Sequence, residues 1–167
     1  MKIVNSVKKI AEIVSEHKKR KKKVGLVVGA FDVLHMGHIN LFRLAKKHVD
    51  ILIIGLDHDK TLTIIKGPTR PINNYKRRSQ FLSEIDLVDY VFKVNKIFKH
   101  GSDESTDYFL KLYRRISPTH VFTHVKTDSQ ESKRKDIAKS LNIKFVPDTS
   151  KTVTHSSTII VKLESEL

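Results

Sequence analysis

Two histidines, His35 and His38, lie three residues apart on either side of Gly37, shortly after an apolar run. The pattern that follows has helical period, so both histidines are expected where a helix begins. A helix start presents free backbone N–H groups and a partial positive charge, which attract phosphate, and imidazoles there can donate further hydrogen bonds. Glycine lets the backbone approach a ligand closely. This combination suits nucleotidyl transfer, because preorganised donors stabilise the charge that builds on phosphoryl oxygens.

The histidine pair also has plainer interpretations. Histidines at this spacing are often surface or helix-capping residues, and the preceding strand and the glycine are what favour a functional site. Zinc binding is a further alternative, but the sequence positions no third ligand. We therefore predict no metal-ligating residues.

The composition limits the class of protein. A chain of 167 residues fits one domain, and 39% apolar residues suffice for a core. The net charge of +14 favours anionic partners: nucleic acid, acidic membrane or phosphorylated small molecules. The absence of cysteine excludes disulfides and thiolate metal sites. The longest apolar run, 51–56, is far shorter than the roughly 20 residues of a membrane span, so we expect a cytoplasmic protein without membrane contact.

The hydrophobic pattern alternates between helical and strand periods. An amphipathic helix is expected first, within about 3–20, followed by six lysine or arginine residues at 18–23. That basic run is interpreted as a solvated connector, with nucleic-acid contact as the alternative. The later predicted elements are strands at 24–28, 51–56, 90–94, 120–125 and 144–146, and helices at 37–47, 75–85, 106–116, 129–141 and 156–163, with a polar segment at 57–74.

Five strands that alternate with helices predict an α/β fold, a single Rossmann-like doubly wound domain over 1–167 with a mostly parallel five-stranded sheet. Ligands of such sheets collect beyond the carboxyl ends of the strands, where the strand order reverses. The loop after the first predicted strand, which carries both histidines, is therefore the expected site.

The sequence resembles the HxGH nucleotidyltransferase superfamily. GAFDVLHMGHI is similar to its G-T/C-F-D-x-x-H-x-G-H-I form, and KGPTRPIN to the K-G-x-x-R-P-V/I-N of bacterial heptose-phosphate adenylyltransferases. GLDHD, YKRRSQFLSEIDLVDYV and HSSTIIVKL also resemble that group's motifs, in the same order, over roughly 8–163. The chain departs from the pattern at THVKTD, where relatives carry a G-G/D-D-Y/W segment associated with the nucleotide, and at Ala30, where they carry threonine or cysteine.

The resemblance implies roles for individual residues. His35 and His38 would contact the triphosphate and stabilise the transition state, and Lys66 and Arg78 would act as catalytic cations. The implied nucleotide-binding residues, besides the histidines, are Gly29, Ala30, Phe31, Gly37, Ser156, Ser157 and Thr158. The implied substrate-binding residues are Asp32, with a loop-ordering role, Lys66, Arg77 as the neighbour of Arg78, and Lys151, where glycerol-phosphate cytidylyltransferases carry arginine.

The implied reaction is attack by a phosphorylated small molecule, most simply a sugar or polyol phosphate, on a nucleoside triphosphate, with release of pyrophosphate. Mg²⁺ would enter mainly through the nucleotide phosphates. ATP is preferred over CTP because of KGPTRPIN, while glycerol-phosphate-type cytidylyltransferases and FAD synthase-like adenylyltransferases are the alternatives. A nucleic-acid-binding protein on a degenerate transferase fold is the non-enzymatic alternative. The resemblance also implies a stand-alone transferase without the fused sugar kinase of the heptose enzymes, and it allows a homodimer.

Overall fold

The computed structural model describes residues 2–99, 101–126 and 128–150. The strands are β1 (Ile3–Val4), β2 (Val24–Gly29), β3 (Ile51–Leu56), β4 (Tyr90–Lys93), β5 (His120–His124) and β6 (Lys144–Asp148). The helices are α1 (Val7–Lys19), α2 (Met36–His48), α3 (Asp59–Lys66), α4 (Tyr75–Ser83), α5 (Asp103–Ile116) and α6 (Glu131–Ser140).

One parallel sheet organises the described chain, in the strand order β1-β4-β3-β2-β5-β6. This confirms the predicted α/β, Rossmann-like fold, but the predicted number of five strands is wrong, because the described sheet has six. The additional strand is β1, which pairs with β4 through Ile3↔Val91 and Val4↔Phe92. The helix expected from about residue 3 begins only at Val7.

The polar segment expected between β3 and α4 contains a helix of its own. α3 begins after His58, whose side chain accepts from the Lys60 N–H, and it ends at Gly67 with a φ of 100°. A positive φ is readily adopted by glycine and disfavoured for residues with a Cβ, so Gly67 suits this stop. The helix matters for the site because its last residue is Lys66.

Helices cover both faces of the sheet. Because successive side chains of a strand point to opposite faces, Leu26 and Ile53 join one apolar cluster while Val27 and Ile54 join the other. The first cluster holds buried residues of α1, α5 and α6, and the second holds those of α2 and α4. This is the doubly wound arrangement, in which both sheet faces are buried.

The strand order reverses beside β2. After β2 the chain moves through α2 to β3 on one side, while β5 pairs with β2 on the other through Gly25↔His120 and Val27↔Phe122. The carboxyl ends of β2 and β5 therefore flank the crevice where ligands of such sheets bind. Within the part of the chain described, no helix is long and apolar enough to span a membrane.

Candidate active site

The loop after β2 begins with a close approach between Gly29 and Phe31. Phe31 is buried and has a φ of 46°, which is unusual for a residue with a side chain. Its ring centroid lies 5.0 Å from that of His38 and 5.4 Å from that of Phe42. A Cβ on Gly29 would lie 3.1 Å from Phe31 Cε2, which is tighter than ordinary contact. Both residues are predicted to bind nucleotide. In the structure the Phe31 ring packs against His38, and Gly29 leaves room for that ring.

His35 and His38 occupy the start of α2. His35 is the residue before the first helical position, and the two imidazoles stack with their centroids 3.9 Å apart. The His35 backbone N–H donates to His38 Nδ1 over 3.4 Å. When His38 is neutral, its proton therefore lies on Nε2, which leaves that nitrogen as a donor. Gly37 lies in the same first turn, so imidazoles and free helix N–H groups share one place.

The electrostatic surroundings of His38 are positive. Burial, followed by the charges of His35, Lys66 and His124, lowers the pKa of His38 to about 3. His38 is thus neutral at physiological pH in the ligand-free protein. A bound polyphosphate would favour its charged form, because an opposite charge nearby raises a histidine pKa.

Lys66 lies at the rim of this cluster. The residue as a whole is open to solvent, but partial burial of its ammonium group, followed by the charge of Arg70, lowers the pKa of that group. The carboxylates of Asp32 and Asp57 act on it in the opposite direction. Lys66 also acts on His38, so the structure brings the predicted histidines and lysine into one electrostatic neighbourhood.

Asp32 joins the loop after β2 to the segment between α3 and α4. Its buried carboxylate accepts from the N–H groups of Ile72 and Asn73, at 3.0 and 2.8 Å, and lies 3.0 Å from Arg70 Nε. The Asn73 side chain donates back to the Asp32 carbonyl over 2.8 Å. These contacts give Asp32 a loop-ordering position.

Arg78 is 1% exposed, and its contacts all lie within the protein. Its guanidinium donates to three carbonyls, with Nε on Asn73, Nη1 on Ala30 and Nη2 on Asp57. Nη2 also pairs with Asp59 Oδ1 at 2.6 Å. Arg78 therefore holds together the loops that follow β2 and β3 and the segment before α4, and its predicted catalytic role stays a prediction.

The remaining predicted residues are Arg77 and four residues between 151 and 158. Arg77 is exposed on α4, where its backbone N–H is capped by Asn74 Oδ1. Lys151, Ser156, Ser157 and Thr158 lie outside the described residues, as does the predicted helix 156–163.

Two basic residues without a predicted role act on the predicted ones, since Arg70 acts on Lys66 and His124 acts on His38. Arg70 belongs to the KGPTRPIN string, so the sequence showed its motif. The sequence did not show that its side chain is buried. His124 ends β5 and is buried, with Nε2 lying 3.2 Å from the Ser150 carbonyl oxygen. The one sequence signal that could have assigned His124 to the site was its expected position at the end of a strand.

The segment that departs from the family pattern, THVKTD, is built around an internal contact. Thr123 Oγ1 donates to Asp128 Oδ2, and the same carboxylate oxygen lies 2.8 Å from Arg134 Nε. The guanidinium of Arg134 also stacks over the Phe109 ring at 4.6 Å. This buried network ties the end of β5 to α5 and α6.

The described ranges, 2–99, 101–126 and 128–150, contain no group of three or more His, Asp or Glu residues that could hold a metal ion. Two carboxylates of these loops, those of Asp32 and Asp59, are paired with arginines. The chemistry this arrangement favours is the binding of a polyphosphate by imidazoles, helix N–H groups and Lys66.

Comparison with known proteins gives a consistent result. A family model described as Cytidylyltransferase-like matches residues 26–163. "Bifunctional protein HldE" of Aliarcobacter butzleri (strain RM4018) is 39% identical over 137 residues, which cover 80% of this chain and 26% of that protein. "Bifunctional protein HldE" of Campylobacter concisus (strain 13826) is 35% identical over 150 residues, covering 89% of this chain and 29% of that protein. The chain thus spans less than a third of these curated relatives.

Solved structures share the fold. The lipopolysaccharide core biosynthesis protein from Thermoplasma volcanium GSS1 has a TM-score of 0.59 at 22% identity, covering 78% of this chain and 99% of that one. A bifunctional NMN adenylyltransferase/ADP ribose pyrophosphatase from Francisella tularensis has a TM-score of 0.64 at 13% identity, covering 87% of this chain and 43% of that one. At these identities the similarity concerns the fold.

Proposed function

Because the chain belongs to the cytidylyltransferase-like family of HxGH nucleotidyltransferases, we propose that it transfers a nucleoside monophosphate from a nucleoside triphosphate to a phosphorylated small molecule. The acceptor is a sugar or polyol phosphate, and pyrophosphate is released. One observation carries the proposal: the stacked His35 and His38 open α2 beside the crevice, with the charge of Lys66 acting on His38.

The reaction is a single in-line displacement. An oxygen of the acceptor phosphate attacks the α-phosphorus and forms a new P–O bond. The bond from the α-phosphorus to the bridging oxygen breaks, and pyrophosphate leaves with that electron pair. The protein contributes by holding two polyanions together and by neutralising the charge between them.

His38 donates to a phosphate oxygen from Nε2, because its Nδ1 accepts from the His35 backbone. The donor is oriented before the substrate arrives, so little reorganisation is needed when charge develops. The start of α2 adds backbone donors and a partial positive charge at the same place. Lys66 supplies a mobile point charge at the rim, suited to phosphates of either substrate.

ATP is the preferred nucleotide and a heptose-like sugar phosphate the preferred acceptor. The string KGPTRPIN, which supports this choice, forms the end of α3 and the segment that Asp32 clamps. The HldE relatives carry the word bifunctional in their names, and the chain matches less than a third of them. The activity proposed for this chain is nucleotidyl transfer.

Mg²⁺ is part of this proposal as a companion of the nucleotide. When bound together with the nucleotide, it would neutralise charge on the triphosphate and on the leaving pyrophosphate. The donor set fits that mode, because Asp32 and Asp59 are committed to Arg70 and Arg78 and the triphosphate brings its own oxygens. A cytoplasmic location and a single domain over 1–167, both expected from length and composition, also belong to the proposal, as does the homodimer that the family resemblance allows.

The test is a pyrophosphate-release screen. Four nucleoside triphosphates are assayed with Mg²⁺ against sugar phosphates, polyol phosphates and flavin mononucleotide. We expect turnover with ATP and a sugar phosphate, and a loss of about 100- to 1000-fold in the His38→Ala protein, the usual scale for one transition-state donor. Circular dichroism must show that the variant is folded.

Each alternative has a distinct outcome in this screen. Turnover with CTP and glycerol phosphate, or with flavin mononucleotide, replaces the preferred substrates but keeps the reaction class. No turnover across the panel, together with salt-sensitive binding of nucleic acid, would refute the transferase proposal.

A further inference from the structure

The segment between α3 and α4 contains an arginine, Arg70, whose contacts are incomplete. Its side chain is 7% exposed, and Nε pairs with Asp32 Oδ2 at 3.0 Å. Nη2 is buried, and in the part of the chain that the structure describes it has no hydrogen-bond partner. A buried donor on a charged group costs free energy when it is left unpaired, so such a group is expected to have a ligand.

Arg78 provides the internal comparison. All three of its guanidinium nitrogens donate within the protein, and Nη2 also pairs with Asp59. Arg70 is instead held at one nitrogen by Asp32. An arginine held at Nε keeps the fork of its terminal nitrogens preorganised for the oxygens of a phosphate. Of the two arginines, Arg70 is the one with binding capacity left.

Arg70 also lies close enough to the candidate site to act on one of its residues. Its charge acts on the Lys66 ammonium, and Lys66 in turn acts on His38. His124, at the end of β5, also acts on His38. The basic side chains of the site therefore come, in this order, from the end of β5, the start of α2, the end of α3 and the segment after α3.

This order separates two phosphate positions. The reversal of strand order places the nucleotide in the crevice between the ends of β2 and β5, next to His38. Arg70 belongs to the segment that follows β3 and α3, and β3 flanks β2 on the side opposite to β5. A second polyanion that reacts with the nucleotide must approach from the side that the nucleotide leaves open, which is the side of Arg70.

We propose that Arg70 binds the phosphate monoester of the acceptor, with Lys66 between this phosphate and the triphosphate. The inference rests on the proposed function, because it assigns the acceptor end of the same site. Asp32 then has two roles. It fixes the segment between α3 and α4 by accepting from the N–H groups of Ile72 and Asn73, and it orients the Arg70 guanidinium through their ion pair. Arg70 is a binding residue for a phosphate on a small molecule.

The kinetic test compares Arg70→Gln with Arg43→Gln, which removes an exposed arginine on α2. We expect Arg70→Gln to raise the KM of the acceptor by roughly 10- to 100-fold, the scale of a charged hydrogen bond, with the KM of the triphosphate within about twofold. Arg43→Gln should change neither constant. A raised KM for the triphosphate with an unchanged KM for the acceptor would overturn the assignment.

A structural role through Asp32 needs its own control. Arg70→Lys keeps a positive charge beside Asp32 but loses the fork, so it should fold like the wild type and still show a raised acceptor KM. If Arg70→Lys instead keeps the wild-type KM for the acceptor, Arg70 does no more than stabilise the loop. This comparison also serves if Arg70→Gln fails to fold.

A binding test separates this inference from the proposed function. Inorganic phosphate is titrated by calorimetry into wild type, Arg70→Lys and Arg43→Gln. Phosphate binding that is lost only in Arg70→Lys would support a phosphate subsite at Arg70 even without turnover in the panel. The transferase itself is refuted by absent turnover together with salt-sensitive binding of nucleic acid. Equal phosphate binding by all three proteins would refute the subsite.

Discussion

The Nη2 atom of Arg78 lies 2.6 Å from Oδ1 of Asp59, and the guanidinium is completely enclosed while a third of the Asp59 side chain reaches solvent. The pair joins α4 to the first turn of α3, and the other donors of Arg78 join it to the ends of β2 and β3. The arginine is thus the common partner of the segments that carry the candidate site.

Replacing Arg78 should therefore lower stability as well as activity. We expect Arg78→Met to reduce the free energy of unfolding by about 2 to 4 kcal/mol, because it leaves three carbonyls and a carboxylate without their donor. Asp59→Asn should cost less, about 1 kcal/mol, since solvent can hydrate the exposed part of that side chain. Urea unfolding measures both. An Arg78→Met protein with wild-type stability and greatly reduced turnover would show that the side chain serves the substrate.

The titration of His38 gives a prediction about pH. Its pKa lies at about 3 in the folded protein against 6.5 for an ordinary histidine, so between these values the unfolded chain binds a proton that the native chain does not. The contribution of His38 to the free energy of unfolding is therefore complete above pH 6.5. It decreases as the pH drops, by up to about 1.4 kcal/mol per pH unit. We expect the unfolding free energy of His38→Gln to fall less steeply between pH 6.5 and 5. Parallel curves for the two proteins would contradict this.

The same histidine should respond to ligand. A bound polyphosphate places negative charge beside the ring, which favours the imidazolium form. In a proton NMR titration, pyrophosphate should raise the pKa of His38 by at least one unit. His17, which lies on α1 and contacts Tyr90, is the internal control, because α1 and α2 pack on opposite faces of the sheet and pyrophosphate at α2 should leave its signal unchanged. A shift of His17 alone would place the anion elsewhere.

Lys66 should matter for turnover and little for folding. Its side chain is exposed at the end of α3, so Lys66→Met removes few packing contacts. We expect its turnover to fall by about 100-fold, because a cation near the transferring phosphate is lost. Lys60→Met, an exposed lysine on the same helix, is the matched control. Similar losses in both variants would indicate a general effect of charge, which salt would also produce.

The hydrophobic pattern of the sequence correctly predicted the helices and strands that bury one whole apolar face in the core. β3 was placed at its observed bounds and α2 within one residue at each end, because apolar residues with a clear period mark both. β1 was missed, since two residues at a sheet edge have no period to recognise. α3 was missed because its eight residues are followed at once by glycine and proline, which are typical of loops.

The sequence predicted the part of the candidate site whose residues are close together in the chain. It did not predict the contacts between residues that are distant in the chain. His35 and His38 share one helical turn, so their proximity followed from spacing alone. Arg70 and Arg78 belong to the same motif region and have the same side-chain chemistry. Only the fold shows that Arg78 is surrounded by carbonyls from three segments while Arg70 is held by one carboxylate. Such differences depend on tertiary contacts that no local pattern carries.

The contact between Gly29 and Phe31 gives the last prediction. In Gly29→Ala the new methyl group meets the Phe31 ring at 3.1 Å, and that ring in turn supports His38. We expect a loss of about 1 to 3 kcal/mol in stability, typical of overpacking, and reduced turnover because the imidazole is displaced. Adding Phe31→Leu shortens the opposing side chain, so the double variant should be more stable than the sum of the single effects predicts.

Gly25→Ala is the control. The new methyl group meets Phe122 and Val49 at the other end of β2, so the loss of stability in Gly25→Ala should simply add to the loss in Phe31→Leu. Additive losses for Gly29→Ala and Phe31→Leu would mean that the ring moves freely and does not hold His38 in place.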